Sequence, residues 1–270
     1  MIHEDKVKRT AVSSKIFGAR IDNGSPKGGT PPLGIGDSYL INLKRNIFAV
    51  ADSPDWNPRA SREFLEDFNQ RMEQLFRGEP QIWNDQYDIE IFKETLEENT
   101  NELIREVDYL SSTTFTCLLV MPDMDELKGL LFHCGDSCIF EINLDQKKIS
   151  QMSWTNMNMV GRSRKLSQVK LAKIEKDTRF ALCTDGAYVL SRNENHGDLP
   201  GILLESFSQT DVDKVPDLLL DHYGRELEFP DDITILTLDP NRLPSGEDVI
   251  IAGGEKTLVD GYELRPRLVI

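Results

Sequence analysis

Several aspartates of this chain stand at the ends of short apolar runs, where they could supply carboxylates to one site. FAVAD and FALCTD end in aspartate, LLFHCGD does so after a glycine, and a double aspartate opens DDITILTL. The residues concerned are Asp37, Asp52, Asp136, Asp185, Asp231 and Asp232. One such aspartate usually caps a strand or a turn. Several aspartates buried close together need a cation, because burying neighbouring negative charges costs free energy unless they are neutralised.

Hard divalent ions fit this set of residue types. Mg²⁺ and Mn²⁺ take carboxylate and water oxygens as ligands. Two such ions about 3.5–4 Å apart can activate a water and clamp a phosphoryl group. Zinc is disfavoured, because the spacing of His133, Cys134 and Cys138 fits no common zinc pattern. The four histidines are scattered and show no partner arrangement for nucleophilic catalysis.

Composition narrows the class of protein. The chain has 270 residues and a net charge of -15, with 39% hydrophobic and 29% charged residues, which is typical of a globular protein. So acidic a protein is a poor match for a nucleic-acid backbone. No apolar run reaches about 18 residues, so we expect no membrane span. MIHEDKVKRTAVSS lacks the apolar core of a signal peptide, and the four cysteines lie in apolar runs; both favour the cytoplasm.

The order of the predicted elements indicates an α+β domain with helices packed on sheets. A hairpin is expected at 39–52, followed by two amphipathic helices at 59–76 and 87–109. Strands are expected at 115–121, 129–135, 137–144 and 147–154, then in VKLAKIE and TRFALCTDG. Helical stretches follow at 201–207 and 215–224, before a last core strand at 229–238. We expect a single domain over 1–270, with its core at about 36–238, an N-terminal arm at 1–22 and C-terminal strands at 240–270.

The motifs, taken in order, resemble those of the PPM family of metal-dependent protein serine/threonine phosphatases. GDSYLI looks like the first acidic motif, and FAVADSPDWNPRAS looks like the Asp-Gly-x-Gly-Gly motif before a helix. CGDSC is similar to a mid-chain Gly-Asp-Ser motif, CTDGAYV to a Ser/Thr-Asp-Gly motif and DDIT to a final Asp-Asn-x-Thr motif. The helix pair after the second motif also agrees. The resemblance covers about residues 36–238 and is closest to divergent, bacterial-style members.

The resemblance implies a four-layer α-β-β-α sandwich, in which a central antiparallel β-sandwich is flanked by helix pairs and carries two Mn²⁺ or Mg²⁺ ions at one end. It implies that the metal ligands are Asp52, the carbonyl of Ser53, Asp185 and Asp231. Asp37 would hold metal-bound waters from behind them, and Asp136 would lie near a third, weaker site. A metal-activated water would attack phosphoserine or phosphothreonine of a protein partner directly.

This sequence departs from the family pattern at several positions in these motifs. The second motif reads DSPDWNP, without its glycines. The arginine that many members place before the first acidic motif is missing from TPPLGIG. Arg20, Arg45 and Arg59 are candidates to replace it. The family's Asn in the last motif is Asp232 here.

Three functions therefore remain open. The first is an active protein phosphatase. The second is a degenerate phosphatase fold that binds a phosphoprotein or another partner without turnover, and the third is a phosphatase for a small phosphate ester.

Two surface features near the motifs have both a functional and a structural interpretation. The segment SWTNMNMVGRSRKLSQ stands where the family carries a variable flap, and Arg162, Arg164 and Lys165 in it could meet an acidic substrate. A solvated basic loop explains them equally well. Trp56 could line a substrate cleft or anchor its own loop.

Overall fold

The fold consists of twelve strands and four α-helices within the residues that the structure describes. The structure is a computed structural model, which describes residues 9–14, 16–22, 34–54, 57–76, 89–123, 126–192, 198–224, 231–243 and 248–256. The strands are β1 (Arg9–Ser14), β2 (Phe17–Asp22), β3 (Gly34–Asn42), β4 (Ile47–Ala51), β5 (Phe115–Asp123), β6 (Glu126–Cys134), β7 (Cys138–Asn143), β8 (Lys148–Gln151), β9 (Gln168–Ile174), β10 (Thr178–Cys183), β11 (Ile233–Leu238) and β12 (Val249–Lys256). The α-helices are α1 (Ala60–Phe76), α2 (Ile89–Glu106), α3 (Leu199–Gln209) and α4 (Val215–Leu218).

The strands form two six-stranded antiparallel sheets. One has the order β1-β2-β11-β10-β7-β8 and the other has the order β12-β3-β4-β5-β6-β9. β2 lies inside the first sheet, between β1 and β11, and β12 pairs with β3 along the second sheet. The segments expected as an N-terminal arm and as C-terminal strands thus supply strands to the two sheets.

Three apolar clusters separate four layers. One fills the space between the sheets, and two others lie between α1, α2 and the second sheet and between α3, α4 and the first. β11 shows how one strand serves two clusters, because Leu236 and Leu238 face the opposite sheet while Ile233 and Ile235 face the helices. The predicted α-β-β-α sandwich is confirmed.

The predicted elements recur with shifted ends. The 39–52 hairpin is formed by β3 and β4, and the helix expected from 59 begins at Ala60. The second helix was expected to reach Tyr109, but α2 ends at Glu106. Asp108 then accepts a hydrogen bond from the backbone N–H of Leu110 and caps a separate 3₁₀ turn, Tyr109–Ser111.

Other differences concern the later elements. The last core strand was expected from 229, whereas β11 begins at Ile233. The helix expected at 215–224 is the single turn α4 followed by a π-helical turn, Leu219–Tyr223. The prediction for Trp56 and the start of the second helix at 87 lie outside the described residues.

Among the helices in the described ranges, none combines the length and the apolar character needed to cross a bilayer.

The contact between α1 and the second sheet is aromatic. Phe64 and Phe68, four residues apart, present their rings on the buried side of the helix. Both rings meet Phe115 of β5 edge-on, with centroids at 5.0 and 4.8 Å. This contact fixes α1, which begins eight residues after Asp52, on the sheet that carries Asp37 and Asp52.

Phe68→Ala should lower the free energy of unfolding by about 3–5 kcal/mol, because it opens a cavity against Phe115. Urea denaturation followed by circular dichroism measures the loss. Ile91→Ala removes an exposed apolar side chain from α2 and should change stability by less than about 0.5 kcal/mol. Equal effects of the two substitutions would contradict this packing.

Candidate metal centre

Three carboxylates converge at one end of the sandwich. Asp52 follows β4, Asp185 follows β10 and Asp136 comes two residues after β6. Each offers one oxygen, and these oxygens all lie within 4.8 Å of one another. Two of the three strands belong to the second sheet and β10 to the first, so the cluster spans the mouth between the sheets.

Asp37 lies in the interior beside this cluster. It belongs to β3 and is only 1% exposed. Its Oδ2 accepts hydrogen bonds from the hydroxyl of Thr184 at 2.7 Å and from the hydroxyl of Thr234 at 2.8 Å. Asp37 thus spans the two sheets, since β3 belongs to one and both threonines lie along the other.

The two aspartates before β11 have different surroundings. Asp232 is buried, and its Oδ2 accepts a hydrogen bond from the backbone N–H of Gly36 at 2.7 Å. Asp231 is exposed, and its Oδ1 accepts a hydrogen bond from the N–H of Asp232. The three clustered oxygens come from Asp52, Asp136 and Asp185. Asp136, which was expected near a weaker third site, is thus in the group, and Asp231, which was expected as a ligand, is not.

The carboxylates disfavour one another's charge. Burial, followed by the charges of Asp37 and Asp185, raises the pKa of Asp52 well above its usual range. Burial and then the charge of Asp232 do the same to the pKa of Asp37. Burial also raises the pKa of Asp136 and of Asp185, and the charge of Asp185 contributes at Asp136. In each case the ionised form is the one that is destabilised.

A divalent cation fits this environment. Oδ1 of Asp136 is buried and has no hydrogen-bond partner within the described residues, so one ligand oxygen is unsatisfied without an ion. Only oxygen donors meet in the cluster, and hard ions such as Mg²⁺ and Mn²⁺ prefer such donors. A bound cation would stabilise the ionised carboxylates against burial and against their mutual repulsion.

Two threonines fix the turn that carries Asp52. The hydroxyl of Thr113 donates to the carbonyl of Asp52 at 2.8 Å, and the N–H of Thr114 donates to the same carbonyl at 2.7 Å. The Thr114 hydroxyl accepts from the N–H of Asp52 and also bonds Ser137, beside Asp136. The loops after β4 and β6 are therefore connected through one side chain.

Ser53 is held against Gly36. Its N–H and its hydroxyl both donate to the Gly36 carbonyl, at 3.2 and 2.9 Å. A Cβ at position 36 would lie 2.2 Å from the carbonyl oxygen of Ser53, so a side chain cannot be accommodated there. Glycine at position 36 leaves room for this carbonyl.

The turn after Asp185 requires a glycine for a similar reason. A Cβ on Gly186 would lie 1.9 Å from the carbonyl oxygen of Asp232. This close approach lets the 3₁₀ turn Asp185–Arg192 begin directly beside the start of β11.

Two of the three arginines considered for phosphate binding have other roles. Arg20 is buried, and its guanidinium contacts Asp22, Asp217 and Asp221 at 2.6, 2.9 and 3.0 Å. Arg45 lies in the β3–β4 turn, at the opposite end of β4 from Asp52, where it pairs with Glu73.

Arg59, the third, is exposed and lies one residue before α1. Its Nε lies 3.8 Å from Oε1 of Glu63. Of the three arginines, it is the one on the Asp52 side of α1.

The segment 153–168 lies beside the cluster. The N–H of Asn156 donates to the carbonyl of Gly135, next to Asp136, at 2.9 Å, and Val160 pairs with Thr113. Trp154 and Met157 stand out from this segment, 73% and 83% exposed. Arg162, Arg164 and Lys165 are exposed further along it.

The buried histidine and the cysteines belong to the core. His133 bonds the Thr116 hydroxyl and the Trp154 carbonyl through its two ring nitrogens, and burial lowers its pKa. Cys134 packs against the α1–α2 side and Cys138 against the α3–α4 side, so they face opposite clusters. All four cysteines are buried free thiols.

Comparison with solved structures finds similar proteins, whereas the two comparisons of the sequence find none. No family model matches the sequence, and no curated protein matches it. The catalytic domain of the serine/threonine protein phosphatase PstP in complex with two manganese ions superposes with a TM-score of 0.56 at 16% identity, over 85% of this chain and 99% of that chain.

Two further phosphatase structures have a similar fold. A bacterial serine phosphatase gives a TM-score of 0.58 at 13% identity, covering 82% of this chain and 96% of its own. The PPM Ser-Thr phosphatase MsPP from Mycobacterium smegmatis, in complex with cacodylate, gives 0.57 at 15% identity, covering 84% and 99%. At these identities the likeness is one of fold: the chain has the fold of the PPM serine/threonine phosphatases.

Proposed function

We propose that this protein is a metal-dependent phosphatase that hydrolyses phosphoserine or phosphothreonine on a protein partner. The observation that carries the proposal is the meeting of Asp52, Asp136 and Asp185 oxygens within 4.8 Å, at the mouth of a PPM-type sandwich. The fold supports the reaction class by analogy only, whereas the carboxylate cluster supports it by its chemistry.

The side chains of this chain would hold the ions and orient what surrounds them. Asp52, Asp185 and Asp231 with the Ser53 carbonyl are the proposed ligands of two Mn²⁺ or Mg²⁺ ions. Asp136 is a further proposed ligand, whose buried Oδ1 has no hydrogen-bond partner among the residues that the structure describes. Bound divalent ions supply a nucleophilic water at neutral pH and neutralise developing charge on phosphate. Thr184 and Thr234 hold the carboxylate of Asp37, and Thr113 and Thr114 fix the backbone that carries Asp52.

The substrate would reach the site past the exposed rim. Trp154 and Met157 offer apolar contact beside the Asp136 loop, which favours a protein segment over a small phosphate ester. Arg59 and the basic residues 162, 164 and 165 are exposed on this side, where an acidic partner would meet their positive charge.

One observation favours a second candidate, a phosphoprotein-binding module without turnover. Arg20 and Arg45, two of the arginines that could have replaced the phosphate-holding arginine, are committed to ion pairs elsewhere. A site that binds metal without a phosphate clamp would be slow, and the turnover measurement below separates the two functions.

Asp136→Asn should stabilise the metal-free protein and weaken its response to metal. Removing one of the mutually repelling charges should raise the melting temperature in chelator by about 2–4 °C, since about 1 kcal/mol gives that shift in a large domain. The half-buried position of Asp136 keeps the gain small. The additional rise on adding Mn²⁺ should fall by half or more, measured by differential scanning fluorimetry.

Asp145→Asn is the matched control, because Asp145 is exposed in the β7–β8 turn. It should leave both melting temperatures unchanged. If Asp136→Asn lowered the melting temperature in chelator and kept the full Mn²⁺ response, a cation at Asp136 would be ruled out.

Phosphate release tests the function itself. Purified protein should hydrolyse a phosphothreonine peptide with Mn²⁺ or Mg²⁺ and stop when chelator is added. Asp185→Asn should reduce turnover by about 100-fold or more, because it removes a ligand of the ions. Asp145→Asn should keep full turnover.

The same assay distinguishes the alternatives. Hydrolysis of p-nitrophenyl phosphate with no hydrolysis of phosphopeptides would point to a small-ester phosphatase. Folded protein that binds Mn²⁺ yet releases no phosphate from either substrate would favour the binding module.

A further inference from the structure

Two buried threonines donate hydrogen bonds to a single oxygen of Asp37. Thr184 and Thr234 are both fully buried, and each hydroxyl donates to Oδ2 of that carboxylate, at 2.7 and 2.8 Å. Oδ1 has no hydrogen bond to any of the described residues. One oxygen is therefore fixed by the fold, and the other remains available for a water or an ion.

The direction of the Thr184 hydroxyl is determined by a second contact. Its oxygen accepts a hydrogen bond from the backbone N–H of Thr234 at 2.9 Å. A hydroxyl has one hydrogen, so that of Thr184 is committed to Asp37. Accepting one bond also polarises the hydroxyl and strengthens its donation.

The same hydroxyl takes the place of a backbone acceptor where β10 ends. The regular pairing of β10 with β11 stops at Cys183 and Ile235. The N–H of Thr184 still donates to the Thr234 carbonyl at 3.1 Å, but the N–H of Thr234 is satisfied by the side chain of Thr184. The main chain can then leave the sheet and turn at Asp185 without leaving a buried N–H group that has no acceptor.

We propose that Thr184 is a positioning residue that couples Asp37 to Asp185, with Thr234 as its partner. The proposal rests on the proposed function, because it takes the carboxylate cluster to be a cation site. Neither threonine is a ligand. Thr184 acts through the orientation of Asp37 and through the turn that presents Asp185, and Thr234 acts through Asp37 alone.

Metal affinity, measured by calorimetric titration of the metal-free protein with Mn²⁺, tests this without relying on turnover. Thr184→Val should weaken binding by about 10–100-fold, as loss of a supporting hydrogen bond to a metal site does elsewhere. Thr234→Val should weaken it less, because it removes one donor to Asp37 and leaves the turn intact. Thr184→Ser keeps the hydroxyl and should bind within about threefold of the unchanged protein.

Thr237 provides the matched control. It is equally buried and belongs to β11, but its hydroxyl donates to the Val212 carbonyl at 2.7 Å and reaches none of the clustered carboxylates. Thr237→Val should lower the melting temperature and leave Mn²⁺ affinity unchanged. Should Thr184→Val fail to fold, Thr234→Val set against Thr237→Val makes the same comparison.

The outcomes separate this inference from the proposed function. If the unchanged protein binds Mn²⁺ and the valine variants at 184 and 234 bind it equally well, the positioning role is wrong and the cation site stands. Equal weakening by Thr237→Val would also overturn it, since general packing would then explain the effect. If the unchanged protein binds no Mn²⁺, both the cation site and the positioning role are refuted.

Discussion

The burial of several neighbouring carboxylates at one end of the sandwich is the constraint on which the rest of this structure depends. Asp37, Asp52, Asp136 and Asp185 all have raised pKa values, for which burial is the first cause. Left alone, such groups would take up protons or move apart. The fold prevents the second response by fixing each residue through strand ends and threonine hydroxyls. It therefore holds an arrangement that a divalent cation relieves.

Both sheets contribute to fixing the positions of the carboxylates. The second sheet supplies Asp37, Asp52 and Asp136, and the first supplies Asp185 and the threonines that hold Asp37. The core between the sheets sets their separation, so its packing also sets the distance between Asp37 and its donors. A substitution deep in that core could alter metal affinity without touching the site, because interiors this dense transmit small shifts.

Local pattern was enough to predict the order of the elements and the three aspartates whose carboxylates meet. Apolar runs ending in aspartate located Asp52, Asp136 and Asp185, and the helical spacing of Phe64 and Phe68 located α1. Strand alternation would also have predicted that Asp232, and not Asp231, points between the sheets. Asp232 is in phase with Leu236, which faces the opposite sheet, whereas Asp231 is in phase with Ile233, which faces the helices. The roles of Thr184 and Thr234 could not be predicted, since their contact with Asp37 depends on how two sheets stack.

The bond between Thr234 and Asp37 joins residues 197 positions apart in the chain. Closing so long a loop costs conformational entropy before any contact offsets it, and folds with many such pairings form slowly. While the chain is being synthesised, Asp37, Asp52, Asp136 and Asp185 all emerge before β11. A nascent chain can thus possess these four carboxylates and still lack the strand whose Thr234 holds Asp37, so the complete arrangement would form abruptly, only after β11 has been synthesised.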